Sequence, residues 1–420
     1  MRKIVVALAC ACLLAGSNVS AQDLTPDAKR LMEREDVKRA FAHIDAHKQE
    51  ILAEWKTITE INAPSGKERE RAEYVKRLLD SFKLDKVYTD AKGNVVAVRK
   101  GTGGAKAVVF DAHLDTVFQE GLKIKAEIRD GKIYAPGVGD DTKNIVAILA
   151  SIRALEDAQI KTKADLIFVF TVEEETSFGG ARQFVAENKD QIGQYIALDG
   201  GFDGLTYGGI GINWYKHHFI GPGGHTRSKT PPFSATLPLA RAIARIYALE
   251  LPKDPVVNLN IGMLGGAEVV NAKAADAWFT VDLRSTDQKA IDEFERKIAD
   301  ILREEAERVD MKVKTEYPEE KVPAAQIPGH RQSFTVRMSE AVHRAIGFEN
   351  VPLSPSSSTN ANIALLAGIP AISTGAAPCE NSHALTEWCS IEPFYRGIKK
   401  TVLLEIALAG ISEQKAEGSK

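Results

Sequence analysis

Long apolar runs are almost absent from this 420-residue chain. The exception is residues 4–15, which follow Arg2 and Lys3 and precede Gly16, Ser17 and the small-residue pattern Val19-Ser20-Ala21. That stretch is too short to span a bilayer, and nothing later reaches the roughly 18 unbroken apolar residues that a spanning helix needs. The arrangement predicts a signal peptide over residues 1–21, and with it an exported protein, in the bacterial periplasm, that keeps no membrane contact once the signal is removed. An excess of one charge is missing too: 54 basic and 57 acidic residues are interspersed, for a formal net charge of −3. No electrostatic footprint remains for a phosphate backbone, so nucleic acid is not expected as a partner. Cysteine is scarce. Cys10 and Cys12 fall in the expected signal, leaving Cys379 and Cys389; a lone pair in an oxidising compartment invites a disulfide, a free buried pair being the alternative. Repeats are lacking, and the only biased tract is a Ser/Pro-rich loop at residues 352–358.

What is present is ordinary globular material, 44% hydrophobic and 26% charged, long enough for more than one domain. Residues 23–60 have a polar-rich helical pattern. Ser65 and Glu68 have the spacing of a capping box that opens a helix with Ala72, Val75, Leu78, Leu79 and Phe82 on its apolar face. Residues 94–98, 107–110 and 166–171 read as strands, and residues 142–155 as a helix between them. This alternation predicts an α/β sheet with helices on both faces. Between about residues 211 and 320 the pattern changes to long alternating strands with two amphipathic helices, an inserted α+β domain. The α/β pattern then resumes with a helix at 336–346, a strand at 371–374 and a closing helix at 394–409.

Polar residues gather where strands should end. His113 and Asp115 follow the run 107–110 and point the same way if the strand continues, so the carboxylate could fix the imidazole tautomer for metal binding. Gly137-Val138-Gly139-Asp140-Asp141 precedes a helix, where the acids could ligate metal or cap it. Glu173-Glu174-Glu175 closes a very apolar strand; three adjacent carboxylates repel unless a cation neutralises them or solvent does. Asp199 ends a fourth apolar run, and His383 lies near the C-terminus. Each has an innocent explanation alone, yet imidazoles and carboxylates delivered repeatedly at strand ends are what a hydrolytic pair of zinc ions needs.

The order His113-x-Asp115, Gly139-Asp140-Asp141, Glu173-Glu174, Asp199 and His383 resembles the di-zinc exopeptidase family of peptidase T, carboxypeptidase G, the aminoacylases and acetylornithine deacetylase, with the peptidase T branch nearest. The resemblance implies an α/β/α zinc-hydrolase domain over residues 23–210 and 325–420, carrying a dimerisation domain at 211–324. It implies two divalent ions, zinc with cobalt or manganese as substitutes, bridged by Asp140. His113 and Asp199 would hold one ion, and Glu174 and His383 the other. Glu173 would be the general base, taking a proton from water and passing it to the leaving amine, and Asp115 would orient a ligand imidazole. In the inserted domain, Gly223-Gly224-His225 is similar to the family's motif, so His225 is expected to reach the other subunit of a homodimer and stabilise the oxyanion. Asn271 and Arg284 would bind substrate, Arg284 through its bidentate fork. Where relatives have Gly-Gly-Thr-Asp, this chain has Ser357-Ser358-Thr359-Asn360, so Thr359 and Asn360 are expected at the pocket with one charge fewer. The implied activity is hydrolysis of a terminal amide bond of short peptides. Deacylation of N-acyl amino acids is the alternative, and an exported peptide-binding protein without catalysis the third.

Overall fold

The computed structural model describes residues 23–317 and 321–412, so the expected signal peptide lies outside the described residues. Its centre is an eight-stranded sheet, in the spatial order Lys86–Thr89, Val95–Arg99, Leu166–Thr171, Ala107–His113, Ile192–Ala197, Ala371–Ser373, Leu205–Thr206 and Leu353–Ser354. The strands Leu166–Thr171, Ala107–His113, Ile192–Ala197 and Ala371–Ser373 run parallel, in the register Phe168↔Phe110↔Ile196↔Ile372. Their carboxyl ends therefore open on one edge of the sheet, where the polar segments of the sequence begin.

Both faces of these strands are apolar, as a doubly covered parallel sheet requires. Val108, Phe110, Phe168, Phe170 and Ile196 face the helices Lys143–Asp157 and Ile391–Ala409 and the N-terminal helices around Trp55. Val109, Ile167, Val169 and Tyr195 face the helices Gly179–Asn188 and Ala361–Leu366. The helix Ile391–Ala409 lies so close to the chain beyond the strand Ala371–Ser373 that a Cβ on Gly397 would sit 1.7 Å from the Ala376 carbonyl oxygen. Only glycine fits there.

The inserted region forms a second, antiparallel sheet with its own core. Gly211–Ile220 pairs on one side with Asp276–Ser285 and on the other with Lys312–Glu316; Asp276–Ser285 also pairs with Val257–Asn260 and Leu264–Gly266. Alternation divides the two faces. Tyr215, Phe219, Phe279, Val281 and Leu283 pack on the helices Thr236–Tyr247 and Gln288–Glu307, while Ile212, Trp214 and Arg284 line a cleft on the other side. The returning chain pairs Val322 with Ile212 and Ala325 with Gly209, so entry and exit run side by side.

A small four-stranded sheet completes the fold, in the order Cys379–Glu380, Trp388–Ser390, Lys132–Tyr134 and Glu127–Arg129. Cys379 and Cys389 are directly opposite each other and form a disulfide, with Cα atoms 4.1 Å apart. The bridge closes the loop that carries His383.

One local reading changes. Ser65 and Glu68 do not form a capping box for the helix Arg69–Leu79, whose N-terminus has no side-chain cap. Ser65 instead donates 2.6 Å to Asp115 Oδ2, and Glu68 accepts from the Gly66 and Glu173 amides. The i, i+3 spacing is the same in either arrangement, so the sequence alone does not separate them.

Candidate metal centre

His113 is the last residue of its strand and is buried. Its Nδ1 lies 3.1 Å from the main-chain oxygen of Asp115 and 3.4 Å from the Asp115 carboxylate, while Nε2 lies 2.9 Å from Asp140 Oδ1. One ring nitrogen is thus fixed by Asp115 and the other faces the centre, the arrangement that prepares an imidazole to ligate.

Asp140 and Asp141 follow a left-handed Gly137 (φ 75°) and are joined by a cis peptide. Glu387, far away in sequence, receives the amides of Gly137 (2.6 Å), Gly139 (2.8 Å) and Asp140 (2.8 Å) and so holds the whole turn. Burial pushes its carboxyl up to about 7. Nothing in its neighbourhood in the sequence marks it, and it was not among the expected site residues. Asp141 turns inward, accepting the His113 amide at 3.0 Å and a bond from Asn144.

The acidic triplet is placed one residue on from the expected register. The strand ends at Thr171, Glu173 adopts a left-handed conformation (φ 56°), and a short helical turn, Glu174–Ser177, begins. Glu173 turns away from the centre and pairs with Lys92 at 2.7 Å. Glu174 is buried beside the centre, and Glu175 reaches His383, its Oε2 3.1 Å from Nε2. Strand alternation cannot be extrapolated past Thr171, because the hinge at Glu173 changes the period.

Two donor groups result, their ligand atoms lying within 4.8 Å of one another: His113, Asp140, Asp141 and Asp199 in one, Asp140, Glu175 and His383 in the other. Asp140 belongs to both. His113, Asp140, Asp199 and His383 come together as the sequence led us to expect, whereas Glu175 stands where Glu174 was expected.

The crowding of buried carboxyls favours a positive charge among them. Burial, reinforced by neighbouring carboxylates, raises Asp141 and Glu174 well above the usual range and Asp199 to about 7. Burial would raise Asp140 also, but hydrogen bonds from His113 and His383 outweigh it and keep this carboxylate ionised. The bonds to Asp140 and Glu175 push His383 up to about 10. Oε1 of Glu175 is buried without a partner. Nitrogen and oxygen donors, a shared carboxylate, crowded anions and an orphaned acceptor fit a pair of divalent cations.

Beside Glu174, Glu175 and His383 lies a cavity of about 260 Å³, also lined by Phe178, Trp214, Arg284 and Ser358. Arg284 Nε donates to Asp282 at 2.9 Å. Thr359 and Asn360 are not at this surface. Asn360 Nδ2 donates to Asp111 Oδ2 (2.9 Å) and Thr171 Oγ1 (2.8 Å), and Thr359 Oγ1 accepts the Ala361 amide (3.3 Å), so both are buried where they start a helix, and Ser358 faces the cavity instead. His225 and Asn271 form a separate exposed patch on the second sheet's domain: His225 Nδ1 accepts the Arg227 amide (3.1 Å), and the Asn271 carbonyl accepts the Thr226 amide (3.0 Å). Neither lines the cavity of its own chain.

Known proteins share this fold. A tripeptidase from Staphylococcus aureus has the same fold, with a TM-score of 0.77 and 22% identity over 86% of this chain and 98% of that one. Aminopeptidase PepT from Bacillus cereus matches with a TM-score of 0.73 and 20% identity over 86% and 99%. In sequence, carboxypeptidase G2 from Pseudomonas sp. is 28% identical over 137 residues, 31% of this chain and 33% of that enzyme. Several of the curated relatives matched are spanned over only 33% to 43% of their length. The model of Peptidase family M20/M25/M40 matches residues 109–404, well over half the sequence and every donor of the centre, and the chain belongs to that family.

Proposed function

We propose that the protein is a two-metal hydrolase that cleaves a terminal amide bond of short peptides, with His113, Asp140 and Asp199 holding one ion and Asp140, Glu175 and His383 the other. The observation that carries this reading is the carboxylate of Asp140 shared by two donor groups, with buried Glu174 beside them and in neither. Divalent ions held there, zinc with cobalt or manganese as substitutes, would supply acidification of water and polarisation of a carbonyl oxygen. Glu174, its carboxyl raised by burial, is suited to accept a proton from the attacking water and return it to the leaving amine. Glu173 is too far engaged with Lys92 for that role.

Arg284 lines the cavity beside Glu175 and His383, which supports a substrate whose terminal carboxylate it holds. His225 and Asn271 would serve the partner subunit's site in a homodimer. The exposed apolar residues Met263, Leu264, Val269 and Val270 adjoin that patch in sequence and support such an interface. The disulfide supports an oxidising compartment, and N-terminal sequencing of periplasmic protein should begin just after Ala21.

The test is turnover on a panel of free di- and tripeptides against N-acetyl amino acids, with product analysis by mass spectrometry. Release of terminal residues from the peptides is expected. Hydrolysis confined to the N-acyl substrates would replace the peptidase reading with the deacylase one, and no hydrolysis by the zinc-loaded protein would overturn both.

A further inference from the structure

The turn carrying Glu174 and Glu175 is four residues long and follows a left-handed hinge, so it has little regular structure of its own to hold it. Its leading amides are all taken by carboxylates from elsewhere. Glu174 and Glu175 donate to Asp115 Oδ1 and Oδ2, both at 3.0 Å, and Glu173, the hinge itself, donates at 3.0 Å to Oε1 of Glu68. The same Glu68 oxygen accepts the Gly66 amide at 2.8 Å, and Ser65 donates at 2.6 Å to Asp115 Oδ2. Glu68 is only 5% exposed.

This short segment is itself anchored to the strand that ends in His113. The Thr116 amide donates to Ala63 O at 2.9 Å. The fully buried Arg71 guanidinium donates to Leu114 O at 2.6 Å and to Ile61 O at 2.6 and 3.0 Å. Asp115 takes the amides of Glu174 and Glu175 and the Ser65 hydroxyl, and the Glu173 amide at the hinge goes to a different acceptor, Glu68.

We propose that Ser65 and Glu68 are positioning residues of the metal centre, forming a bracket that fixes the turn at residues 173–175 and so aims the carboxylates of Glu174 and Glu175. Neither touches the donor groups; both act through main-chain amides and through Asp115. The proposal rests on the reading of Glu174 as proton acceptor and Glu175 as metal donor.

The test compares metal-loaded wild type, Glu68→Ala and Glu68→Gln by hydrogen exchange and by steady-state kinetics on a dipeptide. Removing the acceptor of the Glu173 amide should speed exchange in the peptide covering residues 173–177 by roughly tenfold or more. We expect kcat to fall by a similar factor with KM changed less than about threefold. Glu68→Gln keeps an oxygen at Oε1 and should restore both. Exchange and kcat of Glu68→Ala within about twofold of wild type would overturn the bracket, and so would a Gln variant no better than Ala. If Glu68→Ala does not fold, Ser65→Ala takes its place: lowered kcat at unchanged melting temperature supports the bracket, and unchanged kcat sinks it. A wild-type protein without amide hydrolysis would refute the functional reading, while the exchange comparison would still decide whether the bracket exists.

Discussion

Three adjacent glutamates, changed one at a time to glutamine, should give three different outcomes. Glu173 makes a single ion pair with Lys92, and the two side chains are 27% and 32% exposed. Such pairs contribute about 0–1 kcal/mol, so Glu173→Gln should leave kcat within roughly fivefold of wild type and keep both metals. Glu174 is 7% exposed and belongs to neither donor group. Its glutamine variant preserves shape but cannot take up a proton, which typically costs about a hundredfold to ten-thousandfold in rate, with metal content unchanged. Glu175 lies 3.1 Å from His383 and has a buried, unpartnered second oxygen. Glu175→Gln should lose one of two ions on gel filtration and lose activity with it. The assays are dipeptide hydrolysis, metal analysis by mass spectrometry and a melting curve to establish that each variant is folded. A hundredfold loss in Glu173→Gln beside an active Glu174→Gln would refute the placement of the hinge at residue 173.

Four further outcomes are expected. Dialysis against a chelator should remove about two divalent ions per chain and abolish turnover, and Asp140→Ala should lose both ions, because its carboxylate is common to the two groups. Reducing the Cys379–Cys389 bridge, whose cysteines are 10 residues apart, should lower stability by about 2–3 kcal/mol in urea melts and weaken zinc binding through the loosened His383 loop. Burial holds Glu405 up to about 8, so this group contributes stability in full below the unfolded-state value near 4.5 and loses it as pH rises through 8; Glu405→Gln should flatten that decline, read as urea midpoints at pH 5 and 9 against wild type. His225→Ala and Glu174→Gln, each nearly inactive alone, should recover about a quarter of wild-type activity when refolded together, since about half the dimers are then mixed with one complete site each; no recovery with heterodimers present would place His225 within its own chain.

The fold was largely legible because its signals are local. Buried parallel strands have continuous apolar runs, as at residues 166–171, and the inserted sheet alternates strictly in Asp276–Ser285 and over the first seven residues of Gly211–Ile220. Strand ends pointed to His113 and Asp199, the glycine-rich turn before a helix to Asp140, and the order of the motifs to His383, without any knowledge of topology. The errors fall where local periodicity stops. Beyond Thr171 the chain leaves the strand through a left-handed residue, and each glutamate's direction is set by amides bonded to Asp115 and Glu68. Thr359 and Asn360 have polar side chains in a Ser-rich loop, yet the bonds to Asp111 and Thr171 draw Asn360 into the interior.

Glu387 shows why some site residues give no sequence signal at all. It does not line the cavity beside Glu175 and His383 and belongs to neither donor group, but its two oxygens take three amides around Asp140, across a separation of about 250 residues. A turn with successive amides pointing inward at one point needs an anion there. The disulfide and the strand Trp388–Ser390 deliver that anion from the same loop that brings His383 to Asp140. One loop thus supplies a donor to the centre and, four residues later, the support for the carboxylate that the two halves share. Conformational disorder in this loop would disturb both groups together, so the two ions should be lost in a single step on reduction and not one after the other. Sequential loss, followed by metal release during titration with a thiol reductant, would show that Glu387 holds the Asp140 turn independently of the His383 loop.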